Sequence, residues 1–363
     1  MYTIPVYQPF LNGNEKKYVN ECLDSTWISS KGKFVNQFEK AFSGYIGSKY
    51  ATTVANGTVA IHLALLALGI GKDDEIIVPT LTYIASVNAI AYTGATPVFV
   101  DSIEDSWQID SNDVLKKITP KTKAVMAVHL YGHPCNMDRL VEICKANDLF
   151  LIEDCAEAIG SLYKGKHVGT FGDISTFSFF GNKTITTGEG GMVVTNDDTL
   201  FDRSIHFKGQ GLAKYREYWH DVIGYNYRMT NICAAIGLAQ LEQIDTVLMH
   251  KQRVADTYRK YLGETSVVFH NPVTEDIYHS YWMCSILAKD STERDLIREH
   301  LAKAGVETRP LFYPVHTMPM YSAKYQRHPN AENLGWRGIN LPSYPSLTEE
   351  DILFICNTIK KAL

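Results

Sequence analysis

The sequence predicts an α/β fold, a mostly parallel sheet sandwiched by helices, followed by a smaller C-terminal α+β domain. Three observations predict it. From Ala51 onward strand-like and helix-like segments alternate, as they do where helical crossovers link parallel strands. Several of those strands are apolar nearly throughout, as strands covered on both faces are. After about Asp245 the texture changes to a long polar-faced helix and short β-rich pieces. The chain has 363 residues, which at roughly 150 residues per domain fits about two domains. We expect residues 1–244, N-terminal segment included, to form the large domain and 245–363 the small one, with the boundary placed to within about 10 residues.

In chain order, Ala51 to Ala55 reads as a strand and Thr58 to Leu68 as a helix ended by Gly69. Glu75 to Val78 is strand-like and Tyr83 to Thr93 helix-like. Strands follow at Pro97 to Asp101 and Lys123 to His129, then a helix over Met137 to Ala146 and a strand over Leu149 to Asp154. Another strand ends near Phe180, and Met192 to Thr195 is the next. In the C-terminal part, Val247 to Leu262, Thr292 to Ala304 and Thr348 to Lys361 read as helices, and Tyr281 to Ala288 as β-rich.

Composition excludes several function classes. A hydrophobic share of 45% and a charged share of 21% are ordinary for a soluble enzyme. With 35 Lys and Arg against 40 Asp and Glu the formal net charge is -5, so no global charge draws nucleic acid or an anionic membrane. Met1 to Phe10 has no basic start and no apolar run, unlike a signal peptide. The longest apolar stretches, near Ile61 to Ile70 and Ala124 to Leu130, are too short to span a bilayer. The seven cysteines are scattered and lack a Cys-x-x-Cys pair. They read as buried, reduced thiols of a cytoplasmic protein, not as disulfides or a zinc site.

In open parallel sheets a ligand lies beyond the carboxyl ends of the strands, which directs attention to three segments. Asn56-Gly57-Thr58 stands between a strand and a helix, where free amides suit a phosphate; taken alone, plain helix capping is the stronger reading. Glu153 and Asp154 end a buried strand, with the small Ala156 just beyond. The stretch Ser175-Thr-Phe-Ser-Phe-Phe-Gly-Asn-Lys183, running on to Gly190-Gly191, sets one lysine among aromatics, hydroxyls and glycines. A desolvated lysine loses its charge more readily and can attack a carbonyl. An anion pocket, an acid for a ring nitrogen and a lysine for an aldehyde are together what pyridoxal 5'-phosphate needs.

Other patterns fail. Gly160 to Lys166 opens like a P-loop, but His167 follows where Ser or Thr is needed. Gly209-Gln210-Gly211 lacks the third glycine of a dinucleotide fingerprint, Lys214 standing in its place. His129 and His133 are four apart, but His133 precedes Pro134, which disfavours the helix a paired metal site requires. No metal is expected.

At these residues the chain resembles the DegT/DnrJ/EryC1/StrS sugar aminotransferases. The likeness runs from Ile4 to the last helix and is carried by Cys22 to Gly32, Asn56 to Gly69, Pro79 to Gly94, His129 to Pro134, Ile152 to Gly160, Ser175 to Asn196, Gly224 to Gly237 and Arg309 to Tyr321. The lysine segment and Gly224-Tyr-Asn-Tyr-Arg-Met229 are specific to that family. The resemblance implies a fold-type-I enzyme with a seven-stranded sheet and pyridoxal phosphate as cofactor, passing through pyridoxamine phosphate. It implies a homodimer with sites at the subunit interface, a tetramer being the larger alternative.

Carried over by residue, Lys183 would hold the cofactor aldehyde and Asp154 would face the pyridine nitrogen. Asn56, Gly57, Thr58 and Ser178 would form the phosphate site. Tyr83 and Ala156 would cover the two ring faces, although Tyr83 read alone belongs to a core. Glu157 stands where many members carry Gln or His near the ring hydroxyl. Asn226 would reach the phosphate from the second subunit. Trp27, Ser29, Ser30, Lys31, Arg228, Arg309 and His316 lie in segments resembling substrate-facing loops. The implied reaction takes an amino group from L-glutamate to C4 of GDP-4-keto-6-deoxy-D-mannose, for O-antigen assembly. The alternatives are a UDP- or dTDP-linked keto sugar, a 3-dehydratase (which would carry His in place of Lys183) and a non-catalytic cofactor-binding sensor.

Overall fold

Seven strands form one sheet because nearly every residue in them is apolar or small and can be covered on both sides. The computed structural model describes residues 3–270, 274–323 and 325–363. The large sheet comprises β1 (Tyr50–Val54), β2 (Glu75–Pro79), β3 (Thr96–Val100), β4 (Thr122–Val128), β5 (Phe150–Asp154), β8 (Ile174–Ser178) and β9 (Gly191–Thr195). Their spatial order is β1-β9-β8-β5-β4-β2-β3. β2 pairs in parallel with β3 and β4, β4 with β5, and β5 with β8. β9 runs antiparallel to both β8 and β1. A parallel return from β8 would need a long crossover, and residues 179–190 contain no helix. The chain therefore turns back beside itself, and Lys183 rides on that turn.

The helices are α1 (Glu15–Asp24), α2 (Lys33–Ile46), α3 (Gly57–Leu68), α4 (Ile84–Tyr92), α5 (Ser111–Lys117), α6 (Met137–Ala146), α7 (Asp198–Lys208), α8 (Asn231–Leu241), α9 (Ile244–Leu262), α10 (Ser291–Lys303), α11 (Pro329–Arg337) and α12 (Glu349–Lys360). Alternation along the strands divides the core into two layers. Ile76, Val78, Ala124, Met126 and Val128 pack with α3 and α4. Ile77, Val125 and Ala127 pack on the other face with α2, α6 and α8. Among the described residues no single helix is long and apolar enough to cross a membrane.

A second, antiparallel sheet joins β10 (Val268–Phe269), β12 (Cys284–Leu287), β14 (Gly338–Leu341) and β13 (Arg309–Pro310), in that order. It packs on α9, α10 and α12 through a cluster that includes Tyr258, Leu301 and Ile355. Ile4 belongs to the same cluster and bridges Val306, so the first described residues lie on the C-terminal sheet. The P-loop-like segment is a hairpin: β6 (Leu162–Tyr163) and β7 (Lys166–His167) are joined by Lys164 and Gly165, both at positive φ. β6 also pairs with β11 (Ile277–Tyr278). All seven cysteines are free, and six of them are buried.

Candidate active site

The carboxyl ends of β1, β5 and β8 converge on a cavity of about 570 Å³. Each contributes one part of it.

After β1 the chain enters α3 through Asn56, whose backbone is extended at φ -165° and whose side chain accepts from the Val59 amide at 3.0 Å. The Gly57 and Thr58 amides, first in the helix, have no intrahelical partner, and the helix dipole adds positive potential there. Both residues line the cavity, as does Ser178 at the end of β8. A Cβ on Gly57 would lie 2.7 Å from that of Ser178, so glycine is what lets the hydroxyl join the amides. Period-two alternation explains Ser178: Phe177 and Phe179 point the other way, into an aromatic cluster with Phe38 and Phe42 at centroid distances of 5.0–5.6 Å.

Asp154 ends β5, buried. Its Oδ1 accepts from the Ala156 amide at 3.0 Å and its Oδ2 from Ser86 Oγ at 2.7 Å. Two donors hold the carboxylate in one orientation. Its neighbour Glu153 faces away from the cavity and accepts from the Gly169, Phe171 and Gly172 amides and from His129 Nε2. His129 Nδ1 accepts from the Cys135 amide at 3.0 Å, which leaves Nε2 as the donor to Glu153. Ligand atoms of His129, Glu153 and Cys155 come within 4.8 Å of one another, but these hydrogen bonds already occupy the Glu153 oxygens and the histidine ring.

Lys183 is buried, with Nζ 3.8 Å from Glu157 Oε1. Burial lowers its pKa from the ordinary lysine value, and the charges of Glu157 and Asp154 oppose that shift. Burial likewise pushes Glu157 up to about 7, against the pull of the Lys183 charge and of the Tyr131 amide, which donates to Oε2 at 2.7 Å. Lys183 Nζ also sits 3.8 Å from the centroid of the Trp282 ring. Ala156 and Tyr83 line the same cavity. Tyr83 is 54% exposed, so it is no core aromatic, and its ring lies 5.5 Å from that of Phe312.

Nine of the ten cofactor residues expected from the sequence line this one cavity; Asn226 does not. It is exposed, and its side chain accepts from Arg228 at 3.2 and 3.3 Å. Arg309 lines an adjoining cavity of about 570 Å³ that shares Tyr83, Asn182, Trp282 and Phe312 with the first. Trp27, Ser29, Ser30 and Lys31 line neither cavity. Their loop is tied to α8, since the Asn231 amide donates to Ser29 O and its side chain to Trp27 O.

His316 lines neither of these two cavities. It is buried apart from both cavities, with Nδ1 2.7 Å from Thr80 Oγ1 and Nε2 3.3 Å from Glu332. Both ring nitrogens are used in packing α11 against the sheet. Sequence reasoning missed Ser86, Asn182 and Trp282. Ser86 was within reach, because it follows Tyr83 by three positions on one helical turn. Trp282 stands two residues before β12 of the other sheet, and no local pattern marks it.

A model of the DegT/DnrJ/EryC1/StrS aminotransferase family matches residues 9–360. The chain belongs to this family. It is 67% identical to the GDP-perosamine synthase of Escherichia coli O157:H7, over 99% of each chain. It is 52% identical to the Vibrio cholerae GDP-perosamine synthase, over 98% of each. The Streptococcus pneumoniae protein Spr1654, solved in a PLP form and a PMP form, superposes with a TM-score of 0.94 at 29% identity, covering 99% of this chain and 98% of that one.

The enzyme is thus a pyridoxal-phosphate-dependent aminotransferase, and the cavity fits that cofactor: a glycine-opened cradle at a helix N-terminus, a fixed carboxylate, and a desolvated amine. When bound, the cofactor supplies an electron sink for the bond that breaks at the substrate carbon.

Proposed function

We propose that this enzyme transfers the amino group of L-glutamate to C4 of GDP-4-keto-6-deoxy-D-mannose, releasing 2-oxoglutarate and GDP-perosamine for O-antigen synthesis. The observation that carries this reading is the 67% identity over 99% of both chains to a GDP-perosamine synthase. In this reading Lys183 Nζ would hold the cofactor and, once freed by the amino donor, would take the proton from its α-carbon and pass it to the cofactor; in the second half it would take a proton back and deliver it to C4 of the sugar. Asp154 keeps the pyridine nitrogen protonated. Asn56, Gly57, Thr58 and Ser178 hold the phosphate, Tyr83 and Ala156 flank the ring, and Glu157 meets its hydroxyl. The sugar nucleotide lies along the adjoining cavity toward Arg309, whose guanidinium suits a diphosphate.

The same reading makes the working unit a homodimer. Asn226 and Arg228 stand outside the cavity of their own chain, in a segment whose Tyr218, Trp219 and Ile223 are exposed, and they reach the partner's site together with the 27–31 loop. It also keeps the domain division at residues 244 and 245, at the start of α9, with Ile4 reaching across it onto the C-terminal sheet. Mixing the enzyme with L-glutamate and, separately, GDP-, UDP- and dTDP-linked 4-keto-6-deoxyhexoses tests the proposal. The GDP sugar should yield a 4-amino product by mass and NMR. Amination of a UDP or dTDP sugar alone would replace it.

A further inference from the structure

We propose that Trp282 is a positioning residue for Lys183: its indole face seats the free ammonium between taking a proton and giving it up. The inference rests on Lys183 being the proton carrier, as the proposed function has it. Nζ lies 3.8 Å from the ring centroid, well inside the range of a cation–π contact. Its ion pair with Glu157, also 3.8 Å, is too long for a hydrogen bond. The difference matters chemically. A carboxylate can accept the proton and keep it, whereas a π-face attracts the ammonium and cannot remove its proton.

The seat is fixed from behind. Trp282 Nε1 donates to the Asn182 carbonyl at 2.6 Å, and Tyr7 OH donates to the Lys183 carbonyl. Both ends of the lysine's backbone are therefore held by residues that pack with the C-terminal sheet. Beneath them Lys251, buried and without an ion pair among the described residues, donates to the carbonyls of Trp282 (2.8 Å) and Ser343. The Lys251 amine also lies 5.4 Å from the Tyr7 ring centroid. The other ionisable groups lining the amine's cavity are Asp154 at the end of β5, Glu157 just beyond it, Glu189 on the return toward β9, Tyr83 before α4 and Tyr92 at its end.

The test replaces Trp282 alone with mono-, di- and trifluorotryptophan, which drain the π-face while keeping the ring's shape. In full-length protein freed of cofactor, acetylation of Lys183 by acetic anhydride is followed against pH by mass spectrometry of its peptide. The amine's titration midpoint should fall with each fluorine, by about half a unit to one unit over the series. The L-glutamate half-reaction should slow in the same order. A midpoint that stays put across the series overturns the proposal. Because no sugar enters the titration, a wrong acceptor assignment would leave its outcome unchanged.

Discussion

Glu157 Oε1 lies 3.8 Å from Lys183 Nζ, with both side chains buried. Each shifts the other toward its charged form while burial pushes both toward neutrality. Burial prevails, so Glu157 rises to about 7 and Lys183 falls below the ordinary lysine range.

A stability signature follows from Glu157. Its folded pKa lies above the unfolded value, so its stabilising contribution is complete below about 4.5 and is lost as pH rises to about 7. Glu157→Gln removes that dependence and retains an acceptor for the Tyr131 amide. In urea denaturation of cofactor-free protein, the variant should gain on the wild type between pH 5 and pH 8, by at most about 3 kcal/mol. Equal differences at both pH values would show that Glu157 titrates normally.

The phosphate cradle depends on one missing methyl group. Gly57→Ala drives a Cβ to 2.7 Å from that of Ser178, which should cost about 1–3 kcal/mol and weaken cofactor binding. Adding Ser178→Gly should restore the thermal midpoint but not the affinity for cofactor. If the single variant binds normally, the two residues do not share one site.

Asp154→Asn keeps the side chain's shape and removes its charge. We expect kcat to fall by about 10²–10³-fold while dialysis still retains the cofactor. Ser86→Ala leaves the charge but removes one of the two donors that orient it, so its loss should be smaller. A Ser86 variant slower than the Asp154 variant would reverse that order of importance.

His316→Ala tests whether that residue meets the sugar. It should leave KM for both substrates unchanged and cost about 1–3 kcal/mol, because Thr80 and Glu332 lose a buried partner. A raised KM for the sugar would return His316 to the substrate site.

How far the sequence could be read follows from where each signal resides. Met137 to Ala146 and Glu75 to Val78 matched α6 and β2 within a residue, because their apolar patterns are local. Asn56, Asp154 and Lys183 were legible because strand ends locate a ligand in this sheet class. α2, with its buried stripe Phe34, Phe38, Phe42 and Ile46, precedes the first expected strand and was legible too, since its spacing is that of an amphipathic helix. The reversal of β9 was hidden, since a buried antiparallel strand is as apolar as a parallel one. Trp282 and Tyr7 reach Lys183 only through tertiary folding, across separations of about a hundred residues or more. His316 lies in a segment that resembles a substrate loop, and its hydrogen bonds to Thr80 and Glu332 could not be read from local pattern.

The proposed chemistry requires Lys183 to be the amine that carries the cofactor. Borohydride reduction of the holoenzyme fixes the cofactor to whichever lysine holds it, and peptide mass spectrometry then finds the pyridoxyl group. That group should be found on Lys183 alone, with no fixation in Lys183→Ala. A pyridoxyl group on Lys208, Lys251 or any other lysine would contradict it.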